Sequence, residues 1–164
     1  MKQLVLIRHA KAVPYGYDND FMRELTDRGI SDAGMIGRKL NETGINPGLV
    51  MSSPAPRAIA TARIIAGLTG YQAMEIEEHS DIYLGLTTDE FIELIQNVSD
   101  DIETVFVIGH NPAFCDYATD LTPEFDEELP TCGTVGIRFA VETWKNVGAG
   151  KGLKAFFLFP KGLK

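Results

Sequence analysis

Four apolar residues, Leu4-Val5-Leu6-Ile7, run without interruption near the N-terminus and then meet Arg8-His9. A strand with one wet face alternates polar and apolar residues. An unbroken run of this length is expected where both faces are buried, as in a parallel sheet. Ligands of open α/β sheets bind beyond the carboxyl ends of such strands. Arg8 and His9 are therefore expected at a mouth, a guanidinium beside a nucleophilic imidazole. The same grammar recurs twice. Thr104-Val105-Phe106-Val107-Ile108 ends in Gly109-His110-Asn111-Pro112, and Leu49-Val50-Met51-Ser52 leads through Ser53-Pro54 to Arg57. Any one of these ends fits an exposed Arg or a half-buried His. Two guanidinium forks and two imidazoles together suit a phosphoryl group, whose oxygens Arg binds in bidentate fashion.

The segments between the strands read as helices. Thr26 is expected to cap one with Ile30, Ala33, Ile36 or Gly37, and Leu40 on its inner face, stopped by Gly44. Ser53 as N-cap and Pro54 at the first helical position are expected to open a second, with Ala58, Ala62, Ile65 and Leu68 inward and Gly70 at its end. Arg57 then falls in a first turn, where free N–H groups and the helix dipole favour an anion. Met74 to Glu77 reads as a short strand. Thr87 with Glu90 forms a capping box before Phe91, Leu94, Ile95 and Val98. Asn111-Pro112 start a helix with Phe114, Ala118 and Leu121 inward. Alternating Val135, Ile137, Phe139 and Val141 suggest a half-buried strand, and Ala155 to Phe159 a last one. The loop from Ala12 to Leu25 follows His9 directly and is expected to wall the mouth. Strands alternating with helices give an α/β sandwich, and the last two strands, lacking a helix between them, imply an antiparallel pair.

At 164 residues the chain is expected to form one domain, residues 1–164, with a sizeable core. Its net charge of −8 argues against general binding to nucleic acid or to an anionic membrane. No apolar run approaches the roughly 18 residues of a membrane span, and no signal-like segment precedes the first strand. The reading is a cytoplasmic protein. Cys115 and Cys132 make no metal-ligand spacing and read as reduced thiols.

Arg8-His9-Ala10 resembles the Arg-His-Gly motif of the histidine phosphatase superfamily, whose fold is that of phosphoglycerate mutase. Ser52-Ser53-Pro54-x-x-Arg57-Ala58-x-x-Thr61-Ala62 resembles the family's second arginine motif, and Gly109-His110-Asn111-Pro112 its second histidine motif. Among members the chain looks most like the phosphohistidine phosphatases of the SixA type. These share Arg-His-Ala-Lys and an Asp-x-x-Arg-x-Leu-x-x-x-Gly element, here Asp20, Arg23, Leu25 and Gly29; the Leu129-Pro130-Thr131-Cys132 segment also fits. The resemblance implies a three-layer α/β/α sandwich, a mostly parallel sheet with one antiparallel strand, and no large cap over the site.

It also implies a chemistry of two phosphoryl transfers through a phosphohistidine on His9, with Arg8 and Arg57 as the clamp and His110 donating to the same oxygens. Asn111 and Asp20 are expected to join these in holding substrate. Asp18, Asp20, Glu78 and Asp81 are candidate acids, with Asp20 foremost because it matches the Asp-x-x-Arg element; each is more readily read as an ordinary loop carboxylate. His79 reads as a surface residue. No metal or other cofactor is expected. The substrate implied is a histidine-phosphorylated protein, such as a phosphotransfer or phosphocarrier domain. The alternatives are a phosphatase of small esters or anhydrides, and a non-catalytic phosphate-binding module.

Overall fold

A computed structural model describes residues 1–14 and 19–164. Six strands form one mixed sheet in the order β3-β2-β4-β1-β5-β6. At its centre lies β1 (Lys2–Arg8), paired in parallel with β4 (Thr104–Gly109) and antiparallel with β5 (Thr134–Phe139). β2 (Leu49–Ser52) and β3 (Glu77–Glu78) continue the parallel side, while β6 (Leu153–Leu158) pairs antiparallel with β5. β5 is thus the one strand that runs against the others, as expected.

The unbroken apolar run of β1 has the burial that it implied: Leu4, Val5, Leu6 and Ile7 are all fully buried. Leu4 and Leu6 enter one core, with Phe91, Phe114, Tyr117 and Trp144; Val5 and Ile7 enter the other, with Ala33, Ile36, Ala62 and Ile65. The first core is closed by α3 (Thr88–Gln96) and α4 (Ala113–Leu121), where the Phe91 and Tyr117 rings stack with centroids 4.2 Å apart. The second is closed by α1 (Asp27–Glu42) and α2 (Pro56–Leu68). A side chain of this size stabilises by about 2 kcal/mol when fully buried, so the first strand anchors both layers. Among the described residues no helix is long and apolar enough to cross a membrane.

Four local expectations are corrected. The second helix begins at Pro56, not Pro54, and Ala55 stands before it with ψ of 135°. A residue preceding proline is pushed out of the helical region, so Pro56 delays the start set by Pro54. The strand expected over Met74 to Glu77 is a 3-10 turn, Ala73–Glu75, followed by only two paired residues. Met74 points to solvent, and a very short edge strand limits pairing with other chains. β5 is not half-buried: only Arg138 of its six residues is exposed, and Val141 lies beyond it. Its second face is covered because the Phe156 ring lies where a Gly136 Cβ would be, 2.2 Å from that position.

The fourth correction concerns α1. Ile30 is half exposed, and the inner face runs through Gly29, Ala33, Ile36, Gly37 and Leu40. Thr26 caps the helix by accepting a hydrogen bond from the Gly29 N–H. It also donates through its own N–H and hydroxyl to the Lys11 carbonyl. The helix therefore presses on the loop just after His9, and a Cβ at Gly29 would stand 2.2 Å from the Lys11 oxygen. Gly29→Ala should destabilise the protein by about 1–3 kcal/mol, the scale of overpacking against an unyielding backbone, although alanine favours a helix by about 1 kcal/mol. A urea midpoint equal to or above that of the wild type would show that the loop yields.

Candidate active site

Parallel pairing sets the functional side chains level. Arg8 is in register with Gly109 across β1 and β4, and Ser52 with Ile108 across β2 and β4. His9, His110 and Ser53 therefore emerge side by side from three adjacent strands. β4 enters the sheet between β1 and β2, so the cluster sits where the winding of the sheet is interrupted. The pocket at this edge has a volume of about 430 Å³. Arg8, His9, Asp20, Arg57, His110 and Asn111 all line it, joined by Arg23, Tyr83 and Leu84. All six expected site residues are thus brought together. Glu78 lines a neighbouring groove beside Pro54 and Ile59, and Asp81 lines neither. Asp18 lies outside the described residues.

His9 forms the floor. It is 7% exposed, and its backbone N–H is anchored on the Gly109 carbonyl. Its Nδ1 lies 2.7 Å from the Ala10 carbonyl oxygen. A carbonyl only accepts, so Nδ1 carries the proton and Nε2 keeps its lone pair. Burial is the main cause that pushes the His9 pKa from 6.5 down to about 3. The Ala10 hydrogen bond opposes that shift, while His110, Arg57 and Arg8 add to it. His9 is thus a neutral imidazole at physiological pH, with its nucleophilic nitrogen defined.

The second imidazole is tied differently. His110 Nε2 lies 2.7 Å from Ser53 Oγ, and its ring centroid is 5.2 Å from that of His9. Desolvation, then the Arg57 charge, push its pKa down to about 4, against the pull of Asp20; Arg23 and Arg8 push further down. Ser53, expected as a helix cap, instead supports His110, while its Oγ also accepts the Ala55 N–H. Arg57 is in the first turn of α2, 4% exposed. Thr61, one turn on, donates to the Arg57 carbonyl and accepts the Ala10 N–H, so the nucleophile loop and the arginine helix are joined through one hydroxyl.

Arg8 and Asn111 share a support. Arg8 Nη1 and Asn111 Nδ2 both donate to the Leu129 carbonyl, at 3.0 and 2.8 Å. The segment that offers this oxygen is held by the Cys132 N–H on the His9 carbonyl and by Arg8 N–H on the Gly133 carbonyl. Cys132 sits at φ of 59°, an uncommon conformation for a residue with a side chain. Such strain persists where surrounding structure imposes it. Arg8 Nε, Arg57 Nε, His110 Nδ1 and Asn111 Oδ1 are buried without a protein partner. A cluster with unused N–H groups and two guanidinium ions suits an oxyanion.

Asp20 does not behave as a reservoir of an acidic proton. Burial raises its pKa, but the Arg57 charge and hydrogen bonds from Tyr83, Arg57 and Arg23 outweigh that and leave it below the ordinary carboxylate value. The foremost candidate acid is therefore held as a carboxylate. Ser53, Thr61 and Tyr83 were missed as supports. Thr61 falls inside the arginine motif, and its spacing from Arg57 carried a signal; nothing in the sequence around Tyr83 did. Among the described residues no three His, Cys, Asp or Glu side chains gather to hold a metal ion.

Residues 4–108 match the sequence model of the histidine phosphatase superfamily (branch 1). An uncharacterized protein of Mycobacterium tuberculosis is 31% identical over 167 residues, which span 94% of this chain and 100% of the relative. The fold is similar to that of the protein histidine phosphatase SixA complexed with tungstate, with a TM-score of 0.86 at 20% identity over 99% of both chains. It is also similar to a putative phosphohistidine phosphatase SixA from Agrobacterium tumefaciens, with a TM-score of 0.78 at 21% identity, covering 96% of this chain and 97% of the other.

The two depressed histidines make a prediction about acid stability. Both ionise near 6.5 when unfolded, but near 3 and 4 when folded. Between those limits the unfolded chain binds more protons, so stability falls as pH falls from about 6.5 toward 3. In a His9→Asn/His110→Asn double variant the melting temperature should decline less steeply over that window. Equal slopes would mean that neither ring is held neutral by the fold.

Proposed function

Because this chain belongs to the histidine phosphatase superfamily (branch 1), we propose that it is a phosphohistidine phosphatase acting on a histidine-phosphorylated protein. The observation that carries this reading is the His9 ring, neutral and tautomerically fixed, with Nε2 available in a pocket walled by Arg8, Arg57 and His110. A module that only bound phosphate would need the charges but not a defined nucleophile.

The reaction proceeds in two in-line transfers. His9 Nε2 donates its lone pair to phosphorus, and the bond to the leaving group breaks with its electron pair going to that group. Water then attacks the phosphohistidine, and the P–N electron pair returns to Nε2, releasing inorganic phosphate. Dividing the reaction this way replaces one difficult displacement by two easier ones. Charge spread over the equatorial oxygens is met by Arg57, whose side chain is already desolvated and fixed, and by Arg8 and His110. The SixA structure complexed with tungstate is a precedent in this fold for a tetrahedral oxyanion.

The choice of phosphohistidine over an ester rests on Asp20. An alkoxide leaving group needs a proton in the transition state, and the carboxyl placed at the mouth is held ionised. An imidazole leaves neutral if its other nitrogen is already protonated, and needs no donor from the enzyme. The test compares kcat/KM for a histidine-phosphorylated phosphotransfer protein, a phosphoserine peptide and a sugar phosphate at one pH, with and without chelator. The phosphohistidine protein should be the best substrate, and chelator should leave its rate unchanged because arginines supply the positive charge. A sugar phosphate turned over faster would overturn the substrate assignment, and a strict need for a divalent ion would overturn the charge-neutralisation scheme.

A further inference from the structure

Both ends of the Arg57 fork rest on one residue. Arg57 Nη1 donates to the Asp20 carbonyl at 2.8 Å, and Nη2 to Asp20 Oδ2 at 3.0 Å. Oδ2 also accepts the Tyr83 hydroxyl at 3.1 Å, while Oδ1 is held by Arg23 at 3.0 Å. Tyr83 is itself placed over the site, its ring edge-on to His110 and 6.0 Å from the Arg57 guanidinium. The Asp20 side chain is 59% exposed and that of Arg57 is 4% exposed. His9 and Arg57 are thus both buried, and Asp20 stands above them at the rim of the same pocket.

That arrangement has a chemical consequence. An in-line attack by the buried His9 expels the leaving group away from it, toward the open mouth that Asp20 also lines. A phosphoryl group taking the Arg57 fork displaces Oδ2, while Arg23 still holds Oδ1. The carboxylate then remains beside a phosphoryl dianion. Like charges this close repel unless a cation lies between them. Arg57 and Arg23 are then shared between the two anions; a phosphohistidine protonated on its second ring nitrogen brings a further cation, and an ester or free phosphate does not.

We propose that Asp20 is a specificity-determining residue that accepts the ring N–H of the departing imidazole and disfavours anions that bring no such proton. This rests on the phosphohistidine reading above. An opposite charge at hydrogen-bond distance favours the protonated ring, and the protonated ring is the form whose P–N bond breaks readily. As His9 Nε2 bonds to phosphorus, the substrate P–N electron pair passes to the leaving nitrogen. The ring becomes neutral imidazole and keeps its other proton on its own nitrogen, hydrogen-bonded to Asp20. The carboxylate is never protonated, in keeping with its depressed pKa.

The experiment compares wild type with Asp20→Asn on three probes: phosphoimidazole, p-nitrophenyl phosphate, whose leaving group needs no proton, and inorganic phosphate as competitive inhibitor. With Asp20→Asn, kcat/KM for phosphoimidazole should fall about tenfold or more, the scale of one lost charge-assisted hydrogen bond. The p-nitrophenyl phosphate rate should fall by a clearly smaller factor, and phosphate should inhibit at lower concentration. Asp20→Glu should regain part of the phosphoimidazole rate. Parallel losses on both substrates, or weaker inhibition by phosphate, would overturn the proposal and leave Asp20 as a structural brace of Arg57. If wild type fails to turn over phosphoimidazole and phosphoprotein alike, the phosphohistidine reading falls, while the phosphate arm still reports whether Asp20 repels anions.

Discussion

The short contact between His9 Nδ1 and the Ala10 carbonyl governs the chemistry of the site. It fixes one tautomer, leaves Nε2 with a lone pair and orients the ring, all with atoms of adjacent residues. The contact is maintained from both sides. The His9 N–H and carbonyl are bonded to Gly109 and Cys132, and the Ala10 N–H is bonded to Thr61. Burial then keeps the ring neutral. An uncharged imidazole beside two arginines, as the proposed nucleophile requires, is obtained by denying the imidazolium its water.

The same arginines explain how an acidic protein can handle an anion. The net charge of −8 belongs to the whole surface, whereas the pocket is locally cationic. The Asp20 carboxylate holds one end of the Arg57 fork, which offsets much of the cost of a desolvated guanidinium. On the proposed function, a phosphoryl group would exchange one anion for another on this cation, which would couple phosphate affinity to the position of one exposed carboxylate.

β1, β2 and β4 were legible because their apolar runs are unbroken, and the main site residues because they stand directly at strand ends or in a helix first turn. Arg8, His9, Arg57 and His110 needed only the rule that parallel strands deliver their carboxyl ends to one edge. The supports were not legible for a physical reason. Ser53 meets His110 across 57 residues, Thr61 meets Ala10 across 51, and Tyr83 meets Asp20 across 63. Such pairings depend on how layers pack, not on local pattern. Ser53 illustrates the competition: its type and position suited a helix cap, but Pro56 moved the helix start and left its hydroxyl to His110. Ile30 shows the same in α1, where Gly29 rather than Ile30 takes the first inward position against Lys11, while Ala33, Ile36 and Leu40 stay inward.

The central claim is that His9 Nε2 carries the phosphoryl group between the two transfers. Rapid acid-free quenching of the enzyme with phosphorus-labelled phosphohistidine protein, followed by peptide mapping, tests it directly. The account predicts one labelled peptide, containing His9, with a phosphate stable to base and labile to acid, and no label in His9→Ala. Label on any other residue, or turnover by His9→Ala at the wild-type rate, would contradict it.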